Sequence, residues 1–318
     1  MRAILRALAA TLLALPLPAL AWNNHGHMAV AAVAWAHMTP TAQTRVAALL
    51  KLNPDYAKWI ADAVPGDEDR TAFLRAATWP DEIKHTKGYH NDGYTPSDPH
   101  AGDLTDYSDR LQHKGWHFVD LPFSPDGTPT EPPFGVNAVS QIEKAETNLS
   151  SSSTSDDAKS YALVWLEHLT GDLHQPLHAT SRFTAAFPNG DTGGNALHAC
   201  SDERTTCSDR DNLHAFWDDL SGKTNKLSSV DSYIGRLKPA DPSRVAIADP
   251  TRWADESENL AQTYVYAPPV GIGTDNYALT KDYRNAAKKV AASQIELAGE
   301  RLAMALNTEL GAEVRPRR

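Results

Sequence analysis

The sequence predicts an all-α fold, and three observations carry that reading. Apolar residues recur at helical rather than alternating spacing along most of the chain. Runs of β-branched and aromatic residues with strand periodicity are scarce. The segments between the helical patterns are long and polar, notably Lys87 to Asp109 and Ser181 to Asp211, which are rich in Gly, Asp, Asn and Pro. Loops of that length in a compact domain are more often site-forming than idle.

Taken in order, residues 1–21 read as an address label and not as part of the fold. Arg2 and Arg6 give a basic start, Leu8 to Leu20 is apolar, and Ala19-Leu20-Ala21 supplies a small-x-small cleavage pattern. The apolar run falls short of the roughly 20 residues a membrane span needs, and Pro16 and Pro18 interrupt it, so no anchor is expected. The mature chain is expected to begin at Trp22.

His27 to Trp35 reads as a short apolar helix. Thr39-Pro40 provides a cap and a first-turn proline for a second helix through Leu50. Ser150 to Asp157 is a serine-rich surface loop between helices. Tyr161 to Leu173 is strongly apolar on one face. Trp253, Ser257, Leu260, Ala261 and Tyr264 recur at helical spacing, as do Ala291, Ile295, Ala298, Leu302 and Leu306. No repeat or linker divides 22–318, so a single domain is expected, and no second long apolar stretch argues against solubility.

Cys200 and Cys207 lie in one polar segment, where export favours a small disulfide loop, with free thiols or metal ligation as the alternatives. The formal net charge is -10, and losing Arg2 and Arg6 with a leader would make it more negative. That is the wrong sign for gripping nucleic acid with a broad basic face. A polyanionic substrate would need local attraction, and bound cations are its obvious source.

Potential metal ligands are concentrated. In His168-Leu169-Thr170-Gly171-Asp172-Leu173-His174-Gln175-Pro176-Leu177-His178, His168 and Asp172 are four apart and leave a helix on the same face. His178 lies beyond a proline that bends the backbone and should serve a different ion. A second pair, His214 and Asp218, repeats the spacing. With His178 it would make a three-ligand site with room for water, as catalytic zinc requires. Either pair alone could equally be a helix-stabilising contact; two pairs together with His178, Asp81 and a leader favour metal. Trp22-Asn23-Asn24-His25-Gly26-His27 adds a histidine five residues after a newly exposed α-amine, whose pKa near 8 lets it bind a cation.

These motifs resemble the zinc-dependent, single-strand-specific nucleases secreted by fungi and plants, a family with exported bacterial relatives that shares its fold with zinc phospholipase C. The resemblance covers Trp22 to about Asn307. It rests on Trp22 with His27, Trp79-Pro80-Asp81, Trp116-His117-Phe118, the His168–His178 segment, and Asn212-Leu213-His214-Ala215-Phe216-Trp217-Asp218. It implies a trinuclear zinc centre. One zinc would take Asp81, His117, His168 and Asp172; a second Trp22, His27 and the other oxygen of Asp172; a third His178, His214 and Asp218.

The resemblance also gives Lys84 a place near the phosphate, Phe118 the role of stacking a base, Asp120 that of binding its edge, and Asn195 a place in a Gly-Gly-Asn loop beside the cluster. Each has a plainer reading: solvated charge, core aromatic, helix cap or salt-bridge partner, turn former. His174 is read as structural, and His25, His37, His85, His90, His100, His113 and His198 have no motif to support them. The implied activity is hydrolysis of RNA and single-stranded DNA to 5′-phosphates, with 3′-nucleotidase activity as a further option, by a monomer that is secreted or periplasmic. The alternative is a zinc-dependent phospholipase C. A non-catalytic zinc scavenger fits less well, because a storage site would be closed by four ligands.

Overall fold

The computed structural model describes residues 22–94, 98, 100–201, 207–208 and 211–311. The expected leader, residues 1–21, lies outside the described residues, as do parts of both long loops. Among the described residues are twelve α-helices: α1 (Asn24–His37), α2 (Pro40–Leu50), α3 (Tyr56–Trp59), α4 (Glu68–Ala76), α5 (Trp79–Glu82), α6 (Ala138–Ser150), α7 (Asp156–Leu173), α8 (Leu213–Asp218), α9 (Leu227–Ile234), α10 (Pro242–Val245), α11 (Pro250–Leu260) and α12 (Lys281–Leu310). The fold is therefore the all-α one expected. Two short parallel pairs complete it: β1 (Leu121–Phe123) with β2 (Thr180–Arg182), and β3 (Ala199–Cys200) with β4 (Tyr277–Ala278).

The helices start where side chains can satisfy the unpaired N–H groups of a first turn. Asn23 accepts from the amides of His25 and Gly26, Thr39 from Ala42 with Pro40 behind it, and Ser155 from Ala158. The expected helices are thus longer than their apolar stripes: α1 begins at Asn24, α7 at Asp156 and α12 at Lys281. α11 stops at Leu260, and Ala261–Val265 continues as a single π turn, so Tyr264 leaves the stripe and is exposed.

α7 runs through the centre, with every residue from Ser160 to Leu173 buried. α6 packs along it, α1 lies against α12, and α2 and α4 close the side. A central helix buried all round carries its polar residues only for a reason, since each costs desolvation unless partnered. The polar residues of α7 include His168 and Asp172. Cys200 and Cys207, both within the second long loop, form a disulfide. No helix of the described residues is long and apolar enough to cross a membrane.

Candidate metal centre

Each ligand-bearing segment is held by an anchor buried behind it. Trp79 at the start of α5 is fully buried, donates its indole N–H to Asp55 at 2.9 Å, and is met edge-on by Tyr89, Tyr107, Tyr161 and Trp165. That fixes the turn on which Asp81 sits. Trp116 donates its indole N–H to Ala101 O at 2.8 Å and packs on Trp165, which orients the 3-10 turn Lys114–His117. β1 and β2 then lay the 118–120 segment beside His178, and Val119 N donates to His178 O at 2.8 Å.

The first group is tight. His117 Nδ1 is 2.9 Å from His168 Nε2 and 3.0 Å from Asp172 Oδ2, and His168 Nε2 is 3.2 Å from the same oxygen. Asp81 Oδ1 lies 3.8 and 3.7 Å from these two ring nitrogens. Four donors on a tetrahedral zinc at 2.0–2.2 Å stand about 3.3–3.6 Å apart, so these edges bracket a zinc-sized hole. Asp172 turns its other oxygen toward His27, with Oδ1 3.3 Å from Nε2. Its two oxygens therefore face two different sets of donors. Trp22, fully buried, packs above Gly171: a Cβ there would stand 3.0 Å from His27 Nδ1 and 3.9 Å from Trp22 Cδ1. The glycine in the motif lets Trp22 and His27 approach α7. Asn23 secures them, donating through its amide to Asp219 Oδ1 and Gly222 O.

The second group is His178, His214 and Asp218, whose ligand atoms lie within 4.8 Å of one another. Here the protons can be placed. His178 Nδ1 lies 2.7 Å from His117 O and His214 Nδ1 lies 2.7 Å from Gly193 O. A carbonyl oxygen only accepts, so each imidazole must donate from Nδ1, and in the neutral ring Nε2 then carries a lone pair. The two Nε2 atoms nonetheless face each other at 3.0 Å. Two lone pairs at that distance repel; a cation between them removes the conflict. His168 repeats the pattern, with Nδ1 on Ala77 O at 2.8 Å and Nε2 turned inward. A backbone carbonyl fixing the outer nitrogen of a metal-binding histidine is the usual outer support of such sites.

Charge at the site points the same way. Burial pushes the Asp218 carboxyl well above the ordinary carboxylate range, and the amide of Gln175, at 2.7 Å, opposes this only in part. His117 is pushed down to about 3 by burial and by the Lys84 ammonium, which leaves a neutral imidazole able to bind metal. At Asp172 burial again opposes ionisation, but the surrounding His168, His117 and His27 outweigh it and hold the carboxyl low.

The other expected site residues are placed as follows. Lys84 is buried, with its ammonium 2.7 Å from Asp81 Oδ1, so it is not a solvated charge. Phe118 is half-buried, next to His117, with its ring 6.1 Å from that of Tyr94. Asp120 is half-buried, and burial followed by the charge of Asp191 raises its carboxyl to about 7. Asn195 donates its side-chain amide to Thr192 O at 2.9 Å and so shapes its own turn. Its neighbour Gly193, at φ +59, does more for the cluster by presenting the carbonyl that holds His214; a Cβ there would meet Leu177 O at 2.4 Å. His174 sits away from the metal groups, between Thr170 O and Arg301.

Sequence reasoning gave no role to Gln175, whose amide orients Asp218, although it lies inside the richest motif. It also passed over His37, Glu296 and Glu300, whose ligand atoms approach one another at the far end of α1. The Glu pair at i, i+4 on α12 was the available signal there.

The S1/P1 nuclease profile matches residues 22–311. The chain belongs to the S1/P1 nuclease family. Endonuclease 4 of Arabidopsis thaliana is 29% identical over 91% of this chain and 89% of its own length. Nuclease P1 of Penicillium citrinum is 26% identical over 92% of this chain and 99% of its own, and Nuclease S1 of Aspergillus oryzae is 25% identical over 62% and 53%. Membership makes the chain a hydrolase of the endonuclease type, and its His/Asp groups are consistent with the zinc dependence of that family.

Proposed function

We propose that the mature chain, one domain from Trp22 to Arg318 following a leader of residues 1–21, is an exported trinuclear zinc endonuclease. It cuts RNA and single-stranded DNA to 5′-phosphorylated products. The observation that carries this reading is the inward-facing pair of imidazole lone pairs on His178 and His214, 3.0 Å apart, with both outer nitrogens committed to carbonyls. The donor set of nitrogens and carboxylates suits zinc.

In this reading Asp81, His117, His168 and Asp172 hold one ion. Trp22, through its free amine and carbonyl, His27 and the second oxygen of Asp172 hold another, and His178, His214 and Asp218 a third. Zinc in such a centre supplies a water that ionises near neutral pH and an electrophile for the phosphoryl and departing oxygens. The protein's part is arrangement. Asp172 would offer one oxygen to each of two donor sets, and Gln175 and the carbonyls of His117 and Gly193 keep the third set of donors aimed. Lys84 orients Asp81 and lends positive charge where a phosphodiester would dock. Phe118 stacks a base and Asp120 meets its edge, a contact that needs an unstacked nucleotide and so favours single strands. Asn195 shapes the turn beside the third set. Breaking the bond to the 3′ oxygen leaves a 3′-hydroxyl on the upstream fragment and the phosphate on the 5′ oxygen of the downstream one, and removal of a 3′-phosphate from a mononucleotide is a second activity open to the same centre.

Three dications outweigh the three carboxylates that hold them, so the site attracts phosphate within an acidic protein. The disulfide accords with an oxidising compartment, secreted or periplasmic. The test is product analysis on matched single- and double-stranded oligonucleotides. Mass spectrometry should find 5′-phosphate ends formed much faster from single strands. Products ending in 3′-phosphate, or activity confined to phospholipid diesters, would reject the reading.

A further inference from the structure

Beside Phe118 lies a piece of surface whose arrangement the metal centre does not require. The 87–114 loop returns to the core through a clamp. His90 N donates to Arg110 O at 2.6 Å and Gln112 N to His90 O at 2.9 Å, which closes the loop on itself. His113, in the left-handed region at φ 47, then turns its ring into the loop and stacks on Trp116 at 3.6 Å. Its Nε2 is 2.9 Å from Asp109 Oδ2 and its Nδ1 3.5 Å from Asp92 Oδ2. A non-glycine residue in that conformation costs energy and persists where its surroundings demand it. Here the demand is a buried imidazole bridging two carboxylates from opposite limbs of the loop. Asp92 also accepts from Lys114 N at 3.4 Å.

The clamp fixes what stands two residues past Asp92. Tyr94 is held with its ring 6.1 Å from Phe118 and inclined at 39°, and Lys114 places its ammonium 5.7 Å from the Tyr94 ring centre. A base inserted between two parallel rings needs about two stacking steps of ~3.4 Å each. The two ring centres are closer than that and the rings are inclined to each other, so they offer two adjacent faces and not a slot for an inserted base. The adjoining cation is set for a phosphate, and the nearby carboxylates of Asp92 and Asp109 are turned inward on His113. An aromatic platform beside a fixed cation is the means by which proteins hold successive nucleotides of a single strand without reading sequence.

We propose that Tyr94 and Lys114 bind the nucleotide next to the one stacked on Phe118, so that the enzyme grips at least two consecutive nucleotides on one side of the cut. The proposal rests on the reading of Phe118 as a base platform. His113 and Asp92 are positioning residues for it.

The test compares three substrates: bis(p-nitrophenyl) phosphate, a p-nitrophenyl diester of thymidine carrying one base, and oligo-thymidylate. Tyr94→Ala should lower the ratio of kcat/KM on the oligonucleotide to that on the one-base diester by roughly tenfold, mainly through KM, with Tyr94→Phe close to wild type. Lys114→Met should lower the same ratio and flatten its dependence on salt. His113→Gln should reproduce the Tyr94→Ala pattern. Phe118→Ala is the control: it should slow both base-bearing substrates relative to the base-free one. If Phe118→Ala behaves so and Tyr94→Ala leaves the ratio unchanged, the second contact is wrong and the Phe118 reading stands. If Phe118→Ala alters neither base-bearing substrate, the underlying reading has failed and this one with it. A Tyr94→Ala protein slowed equally on all three substrates, or short of zinc, would assign Tyr94 to loop structure and overturn the proposal.

Discussion

Asp172 is the residue on which the centre should be most sensitive, because its two oxygens face two donor sets. Oδ2 lies 3.0 and 3.2 Å from the ring nitrogens of His117 and His168, and Oδ1 3.3 Å from that of His27. Asp172→Asn keeps the shape but replaces one oxygen by an NH2 that cannot bind metal, and it removes the charge between two ion positions. Changing a residue that merely supports a metal ligand typically costs about 10- to 100-fold in metal affinity or activity, so changing a ligand shared by two donor sets should cost more than about a hundredfold in rate. Lys84→Ala removes a hydrogen bond to Asp81 and leaves the donors in place, so it should cost about ten- to a hundredfold with zinc retained. The assay is kcat/KM on a single-stranded oligonucleotide together with zinc per chain by plasma mass spectrometry. Asp172→Asn should lose metal from the pair it joins and keep the ion at His178, His214 and Asp218. An Asp172→Asn protein with full zinc, no slower than Lys84→Ala, would refute the bridging argument.

Two further outcomes are expected. One extra residue ahead of Trp22 turns its amine into an amide and inserts chain into a buried corner; such protein should lose the ion next to His27 and most activity, and trimming back to Trp22 should restore both. Asp120, held at about 7, keeps its proton in the folded state at pH values where the unfolded chain has lost it. Stability should therefore fall as pH rises from about 4 to about 7 and level off above that, because the folded state binds the extra proton only within this window. Asp120→Asn should flatten that part of the stability profile, measured by denaturant titration, and an unchanged profile would remove Asp120 as its source.

The sequence made the helical class and the ligand-bearing segments legible because both are local. His168 with Asp172 and His214 with Asp218 are one-turn spacings on helices, and the structure places each pair on one helix with both side chains buried. Less visible were elements whose stability comes from packing and not from their own pattern. The short α3 and α10 are single turns too brief to show a period, α4 opens on the charged run Glu68-Asp69-Arg70, and α6 owes its place to its Asn137 cap and its packing along α7. The β1 and β2 pairing, which sets Phe118 and Asp120 beside His178, joins residues some sixty positions apart and leaves no periodic trace in three-residue strands. The same holds for His113. No motif singles it out, because its two carboxylates come from residues 92 and 109 through a turn that only the folded backbone defines. Chemistry that depends on spacing within a helix can be read from a sequence, whereas chemistry that depends on loop closure cannot.

The central claim is that three ions are held by one set of buried donors that begins at Trp22. Zinc content, measured on protein starting at Trp22 after reconstitution and removal of loosely bound metal, tests it most directly. Three zinc ions per chain are expected, falling to two on Asp218→Asn as the third donor set is broken. A reproducible content of one or none, or a content that Asp218→Asn leaves unchanged, would contradict the account.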